Sequence, residues 1–541
     1  MKMIKVFTVA EMIAAEKAAD AAGVSYAAMM ETAGRCVAEA VVERLHIAGK
    51  HILILVGPGN NGGDGLVAGR FLAQAGAEVV LYLYTPRDAH VDDNFHQVQQ
   101  MGLSIVGMVE DIDFQFLRDA VVQTDIVLDA LLGTGVTRPI SGRLAELLRV
   151  VKDEIGVKQK KEAEYARSRL TIVGNVNGRN TPPHPLIFAV DCPSGLNCDS
   201  GQLDPLAIPA DHTVTFAGPK RGHFRFPGAA ACGELIVADI NIPTDLPNVA
   251  AVQVELATAA AMQKLLPPRP PNGHKGTFGT TLIAAGSQHY FGAPLLAAKG
   301  AYRVGTGLAA LALPQAILTT VAGQMPEATY PPISAVNILD AESVSELRTA
   351  IARAKSLLVG PGLDAAAEFM QALLAIRDVL PPLLVDADGL NLLAALPDWP
   401  TRLPPHTILT PHPGEMARLT GMSMAAVNMA DRIELASEKA QEWGHVVLLK
   451  GAYSVVANVD GRCHLLPFAN PALAVGGSGD VLSGIIAGLL AQGLQPYAAA
   501  VLGGFLHGAA GQLTAAKVGS SGVLAGEIAE NIPQAQRALR Y

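Results

Sequence analysis

Along this chain, short apolar runs that end in glycine or aspartate alternate with longer stretches whose apolar residues recur at helical spacing. Thr8 and Glu11 form a capping-box pattern ahead of an Ala-rich helix reaching about Ala22, and a second helical pattern runs from about Tyr26 to Leu45. His51 to Val56 reads as a strand that ends in glycines, and Leu66 to Gln74 as a helix. Glu78 to Tyr84, Ile126 to Ala130 and Ile187 to Val190 read as further strands. This alternation predicts a mainly parallel sheet covered by helices on both faces.

From about Val151 to Pro185 the pattern breaks. The charge run Lys158-Gln159-Lys160-Lys161-Glu162 and the Asn-, Gly-, Arg- and Pro-rich stretch from Asn175 predict an exposed insertion. Pro267-Pro268-Arg269-Pro270-Pro271-Asn272-Gly273 is the strongest linker signal. Beyond it the alternation resumes, with strands expected at Thr280 to Ala284, Ser356 to Val359, Leu383 to Val385, Thr407 to Leu409 and Val446 to Leu449. The expected layout is an α/β domain over 1–255, a linker over 256–272 and a second α/β domain over 273–541.

Composition narrows the function classes. The chain has 541 residues, too many for one compact core, and half of them are hydrophobic. A net charge of −9 excludes a basic footprint for nucleic acid. The apolar stretches Ser483 to Gln492 and Ala498 to Ala510 are too short and Gly-broken for a membrane span, so no membrane partner is expected. The 5 cysteines are scattered without zinc spacing, which suits a reducing cytoplasm. Cys192-Pro193-Ser194-Gly195 reads as a strand-end loop with a small buried residue rather than a nucleophile site.

Candidate chemistry gathers at strand ends. In the first half, Gly57-Pro58-Gly59-Asn60-Asn61-Gly62-Gly63-Asp64-Gly65 follows a strand and opens a helix, the context in which a GxGxxG pattern cradles a pyrophosphate. Arg87, after the next strand, could face a 2′-phosphate or lie in a solvated turn. Asp129 to Val136 and Asp191 to Gly195 end two further strands on the same sheet edge, and Asn61, Asp129 and Ser194 supply an oxygen-only set suited to a hard cation. With Met30-Glu31-Thr32-Ala33-Gly34, these segments resemble the NAD(P)H-hydrate epimerase family over residues 1 to about 250. The resemblance implies a Rossmann-like three-layer domain that interconverts the R and S forms of hydrated NAD(P)H. By motif, Asn60, Asn61, Gly62, Gly63 and Asp64 hold the substrate together with Gly133, Thr134, Gly135, Val136, Thr137, Arg138 and Pro139. Asp191 sits at the reacting ring, and Asn61, Asp129 and Ser194 bind K⁺.

In the second half, Asn470 to Asp480 places glycines ahead of one carboxylate and an apolar helical run. Backbone N–H groups and the helix start can surround a phosphoryl group there while Asp480 takes a hydroxyl proton. Lys450, between Leu449 and Gly451, can meet phosphate as a point charge. His412, between two prolines, either caps a helix or contacts substrate. Asp386 and Asp388 either assist Mg²⁺ through water or cap the next helix. HKGTFG, RVGTGL, GPGL, VDADGLNLLA, TPHPGE, LKGAYS and the Asn470 to Gly493 segment resemble the ADP/ATP-dependent NAD(P)H-hydrate dehydratase family over residues 265–535. Three positions depart from the family pattern: Asp364, Ser454 and Gln512. The resemblance implies a ribokinase-like α/β domain using ADP or ATP with Mg²⁺ on the S hydrate of NADH or NADPH. Asp480 is then the catalytic residue. Thr306, Gly362, His412 and Asp480 contact the hydrated nicotinamide; Lys450, Gly451, Ala452, Tyr453, Ser454 and Gly479 hold the nucleotide. A homo-oligomeric assembly is expected. The competing reading is a vitamin-precursor kinase of the same fold fused to a dinucleotide-binding domain.

Overall fold

The computed structural model describes residues 4–135, 137–168 and 185–540 (of 159–168 the backbone helix alone). Two compact α/β units divide the chain, Ile4–Val252 and Gln253–Tyr541.

The first unit is built on β1 (His51–Val56), β2 (Glu78–Leu83), β3 (Ser104–Gly107), β4 (Ile126–Ala130), β5 (Leu186–Val190), β6 (His212–Phe216) and β7 (Glu234–Ala238). They form one 7-stranded sheet in the order β3-β2-β1-β4-β5-β6-β7, with every pairing parallel. Side chains alternate between its faces: Ile52, Ile54 and Val56 join the core beneath the helices Val9–Ala21, Tyr26–Arg44 and Asn60–Gln74, whereas Leu53 and Leu55 join the core beneath Gln115–Gln123 and Gly142–Ser168. Burial on both faces explains why β4 and β5 are apolar almost throughout. The strand order reverses between β1 and β4, so the loops that follow these two strands part there and leave a crevice.

The insertion expected from about Val151 does not start there. The helix Gly142–Ser168 continues through Val151 and Ile155, which are buried in the sheet core. The remainder, 169–184, lies outside the described residues.

The second unit also begins earlier than expected. Val254–Leu256 forms β8, which pairs in parallel with a strand of the second sheet. The segment read as a linker therefore starts inside that sheet and includes the helix Ala259–Gln263, capped by Thr258. The other strands are β9 (Thr280–Ala284), β10 (Leu308–Ala312), β11 (Ser356–Val359), β12 (Leu383–Val385), β13 (Ile408–Leu409), β14 (Val446–Leu449), β15 (Val455–Ala457) and β16 (Cys463–Leu465). Their order is β10-β9-β11-β12-β13-β14-β15-β16-β8, parallel from β10 to β14 and antiparallel across β14-β15-β16. Here the reversal falls between β9 and β11.

The helix Ser478–Ala491 packs directly on Gly292–Val304, and its glycines set the distance. A Cβ on Gly484 would lie 1.9 Å from the Ala297 carbonyl oxygen, and one on Gly300 would lie 2.4 Å from that of Val481. Such close approach fixes where the helix begins, and so where Asp480 stands.

Candidate active sites

In the first unit, the loop after β1 fits against the loop after β4 only because it is glycine-rich: a Cβ on Gly57 would lie 1.7 Å from the Leu131 carbonyl oxygen. The Asn60–Gln74 helix starts at Gly59 with no side-chain cap, leaving its first N–H groups open. Arg87 does not wait for a 2′-phosphate. Its Nη2 donates to the carbonyls of Gly57 at 2.7 Å and Gly59 at 3.0 Å, and its other terminal nitrogen pairs with Asp92, so it braces the loop. Asn60 is exposed, whereas Asn61, Gly62, Gly63 and Asp64 are buried. Thr134 is half-buried, and Gly135, Thr137, Arg138 and Pro139 are exposed around the rim; Val136 lies outside the described residues.

Asp129 is 1% exposed. It accepts from Ser194 Oγ at 2.6 Å, from the Ser194 N–H at 2.8 Å and from the Leu131 N–H at 3.2 Å. Burial pushes its carboxyl up against the pull of these neutral donors, and among the described residues no basic side chain offsets it. Asn61 packs beside Gly133, with its Nδ2 unpartnered among the described residues. A buried, cation-free carboxylate with hydroxyl and amide oxygens nearby is a donor set that fits K⁺.

Asp191 ends β5 in the left-handed region, φ 64°. Its Oδ1 accepts from Thr215 Oγ1 at 2.9 Å and from Lys220 Nζ at 2.5 Å. Burial alone would raise Asp191, but the Lys220 ammonium and these bonds outweigh it and hold the carboxyl below its usual range. Asp64 goes the other way: burial, reinforced by the Asp191 charge, raises it well above the ordinary value. Lys220 was missed by the sequence reading. Its signal was the Ala217-Gly218-Pro219 turn after β6, the same strand-end context that singled out Lys450.

In the second unit, Gly477 turns the chain at φ 86° into the Ser478–Ala491 helix, again with no side-chain cap. Asp480 lies in the first turn. Burial, then the Asp386 charge, push its carboxyl up to about 7, with Lys450 opposing. Lys450 Nζ lies 2.7 Å from Asp386 Oδ1 and 3.5 Å from Glu415 Oε2, so its charge is already matched on the protein side. A Cβ on Gly479 would lie 3.7 Å from Lys450 Nζ, which brings the strand-end lysine and the helix start together. Ser483 Oγ bonds Asp386 and also lies 2.8 Å from the Gly479 carbonyl oxygen, tying β12 to the same helix. Glu415, only in the background of the sequence reading, is pushed up to about 7 by burial against the pull of Lys450.

His412 caps its helix. Its Nδ1 accepts from the Gly414 N–H at 2.9 Å, and Glu415 Oε2 accepts from the His412 N–H at 2.8 Å. Its Nε2 edge faces Glu415 Oε1 at 3.4 Å with the side chain half exposed, so the cap leaves one edge of the ring reachable. Gly451 and Ala452 are exposed and Tyr453 and Ser454 half-buried. The hydroxyl of Ser454 closes the loop on Gly451 O at 2.8 Å. Asp388 accepts the Asp364 N–H at 3.0 Å. Gly362 stands where the strand order reverses, so close to Tyr290 and Ala293 that its own Cβ would lie 2.6 Å and 3.2 Å from theirs. Those two residues form a wall that the sequence reading did not single out.

Thr306 requires correction. It precedes β10, at the N-terminal end of a parallel strand, while Asp386 and Lys450 follow the C-terminal ends of theirs. Its hydroxyl is directed at Gly279 O, 3.5 Å away, and Thr281 Oγ1, 3.4 Å away, inside the unit. The resemblance put Thr306 against the nicotinamide; Gly305-Thr306-Gly307 is the turn that starts β10, at the opposite edge of the sheet.

Two α/β units, each with a lysine–aspartate ion pair and an uncapped helix at the C-terminal edge of its sheet, define a nucleotide-handling enzyme of Rossmann-like and ribokinase-like build. A profile described as YjeF-related protein N-terminus matches residues 26–222, and one described as NAD(P)H-hydrate dehydratase matches residues 281–534. The bifunctional NAD(P)H-hydrate repair enzyme Nnr of Moorella thermoacetica is 38% identical over 94% of this chain and 92% of its own, and that of Escherichia coli 32% identical over 95% and 90%. The crystal structure of ADP/ATP-dependent NAD(P)H-hydrate dehydratase from Bacillus subtilis with ATP/Mg²⁺ is 32% identical and covers 52% of this chain and 98% of that chain, with a TM-score of 0.45. The chain belongs to the bifunctional NAD(P)H-hydrate repair enzyme family.

Proposed function

We propose that the chain repairs hydrated NADH and NADPH in two steps. The first unit equilibrates the R and S hydrates. The second dehydrates the S form at the expense of ADP, giving AMP and phosphate, or of ATP. Asp480 carries the second step. It is a carboxyl held near neutrality, at the uncapped start of a helix, beside a glycine-lined turn and Lys450.

The chemistry follows from a leaving-group problem. Hydroxide leaves C6 of the nicotinamide ring poorly; phosphate leaves well. As the C6 oxygen attacks the terminal phosphorus of the nucleotide, its proton passes to Asp480 and the bond to the departing nucleotide breaks. The N–H groups of Gly476 to Gly479 stabilise the transferring group. The ring nitrogen then expels phosphate from C6, and loss of the C5 proton restores the dihydropyridine. In this reading Lys450, Gly451, Ala452, Tyr453, Ser454 and Gly479 hold the nucleotide, and Gly362, His412 and Asp480 contact the nicotinamide.

Among the described residues no three His, Cys, Asp or Glu side chains come together as a metal-ligand set. That pattern suits Mg²⁺ held largely by substrate phosphates, with Asp386 and Asp388 assisting through water. Mg²⁺ supplies neutralisation of phosphate charge. In the first unit, Asn61, Asp129 and Ser194 would hold K⁺, whose charge compensates the buried Asp129. Asp191 handles the proton at the reacting ring, and Asn60 to Asp64 with Gly133 to Pro139 grip the dinucleotide. A homo-oligomer in the cytoplasm completes the proposal; among the described residues no helix is long and apolar enough to cross a membrane.

The test mixes purified chain, both hydrates, ADP or ATP, Mg²⁺ and K⁺, and follows the recovery of reduced-nicotinamide absorbance. Recovery from both epimers with inorganic phosphate released is expected. A stable phosphate ester would point to a vitamin-precursor kinase, and no conversion would refute the reading.

A further inference from the structure

We infer that Lys220 is a positioning residue of the epimerase site, acting through Asp191 to keep that carboxylate aimed and ready to accept a proton. The inference rests on the epimerase reading and deepens it.

Lys220 is 1% exposed, and burying an ammonium is costly unless a partner matches it. Its Nζ donates to Asp191 Oδ1 at 2.5 Å and to Thr215 Oγ1 at 3.0 Å, while Thr215 Oγ1 itself donates to Asp191 Oδ1 at 2.9 Å. Both donors converge on one carboxylate oxygen. No hydrogen bond within the described residues involves the other oxygen, Oδ2, which stays available to a reacting group.

The rest of the fold fixes the lysine. The Phe7 N–H bonds Pro219 O at 2.9 Å and the Arg221 N–H bonds Phe7 O at 2.9 Å, so the chain's first segment clamps both sides of residue 220. Lys220 N–H also donates to His223 Nδ1 at 3.2 Å. A Cβ on Gly218 would lie 2.3 Å from Lys5 O, so that turn admits only glycine. Such effort around one buried cation has no use in a core that could bury a methionine instead.

Several other titratable groups face Asp191. Asp64 on the helix after β1 and Glu16 on the Val9–Ala21 helix are both raised, burial being the main cause and the Asp191 charge a further one. Cys192, Cys198 and His223 stand beside the pair. Burial first, and the Asp191 charge after it, push Asp64 and Glu16 toward the protonated form, while Lys220 pulls both the other way. Removing the ammonium takes away the largest pull against burial at Asp191, leaving His223 and the Thr215 bond, so its carboxyl rises.

The test compares wild type, Lys220→Met, Asp191→Asn and the double variant in the full chain, following equilibration of R and S hydrates against pH. Lys220→Met is expected to lose about 100-fold or more of epimerisation at neutral pH. Its acid limb should move upward by at least one unit, so that part of the rate returns as pH rises. The double variant should be no slower than the slower single one, because the lysine acts only through the aspartate. It should also melt higher than Lys220→Met, since no lone buried charge remains. An unmoved acid limb in Lys220→Met, or losses that multiply in the double variant, would overturn the inference. A wild-type chain that fails to equilibrate the hydrates would instead sink the epimerase reading.

Discussion

Lys220 and Lys450 both lie in loops that leave the C-terminal edge of a parallel sheet, the first buried and the second half-buried, yet they serve different aspartates. Lys220 pairs with Asp191, the carboxylate proposed to meet substrate. Lys450 pairs with Asp386, and among the described residues no ion pair reaches Asp480, the corresponding reactive group. The consequence is a pair of opposite shifts. Asp191 is held ionised, whereas Asp480, raised by burial and by the neighbouring Asp386 charge, titrates at about 7. A buried carboxylate and a half-buried one thus acquire different roles from where one ammonium sits.

The largest expected effect tests the second half of this contrast. Asp480→Asn should lower dehydratase turnover by about 10²–10⁴, the range for a lost general base, while nucleotide binding by calorimetry stays near wild type. Epimerisation by the same variant should not change. Near-normal dehydration would remove Asp480 from the mechanism.

Next in size is Lys450→Met. Asp386 is 1% exposed, so losing its partner leaves an uncompensated buried charge, expected to cost about 3–5 kcal/mol in chemical denaturation of the second unit. Adding Asp386→Asn should recover much of that stability without restoring nucleotide use. If Lys450→Met is as stable as wild type, the Lys450–Asp386 pair is not the structural counterpart of Lys220–Asp191.

The pH profiles sharpen the comparison within one chain. Asp480 must lose its proton to act as base, and its folded value is raised to about 7. Dehydration should therefore fall about tenfold per pH unit below that value and level off above it. Asp191 is shifted the other way, so epimerisation should show no acid limb near neutrality. The same shift makes Asp480 a stability liability: its folded state prefers the proton, so its contribution is fully present below the unfolded value and is lost as pH rises through about 7. Coincident acid limbs for the two activities would erase the distinction.

Much of this was legible in the residues because strand ends announce themselves. Parallel strands buried on both faces are written as apolar runs, and the glycine or aspartate that stops each run marks the sheet edge where ligands bind. Asp129, Asp191, Asp386 and Lys450 were all found in this way. What the residues did not reveal was which charges meet. Lys220 reaches Asp191 from 29 positions away, and the Lys450–Asp386 pair spans 64. Pairing across such distances depends on strand order, which a local pattern does not carry. The boundary at residue 253 was missed for a related reason. β8 has only 3 residues, and its partner β16 lies some 200 positions later. The proline run was the louder signal, but it falls inside the second unit.

The smallest effect concerns Thr306, where a motif and the topology disagree. The family resemblance assigned Thr306, in the RVGTGL segment, to substrate. In a parallel sheet, however, the two ends of a strand face opposite edges, and Thr306 enters β10 while Asp386 and Lys450 leave β12 and β14. Among the described residues its hydroxyl makes only long contacts, 3.4 and 3.5 Å, to groups within the unit. Thr306→Val keeps the shape and removes the hydroxyl, so the expected cost is below about 1 kcal/mol of stability. The KM for the S hydrate and the turnover should match wild type, in contrast to Gly362→Ala, where a new methyl would press on Tyr290 and Ala293 at the strand-order reversal. A several-fold rise in KM for Thr306→Val with unchanged melting would show that substrate reaches around the sheet to its other edge, and the single-edge site common to both units would no longer hold.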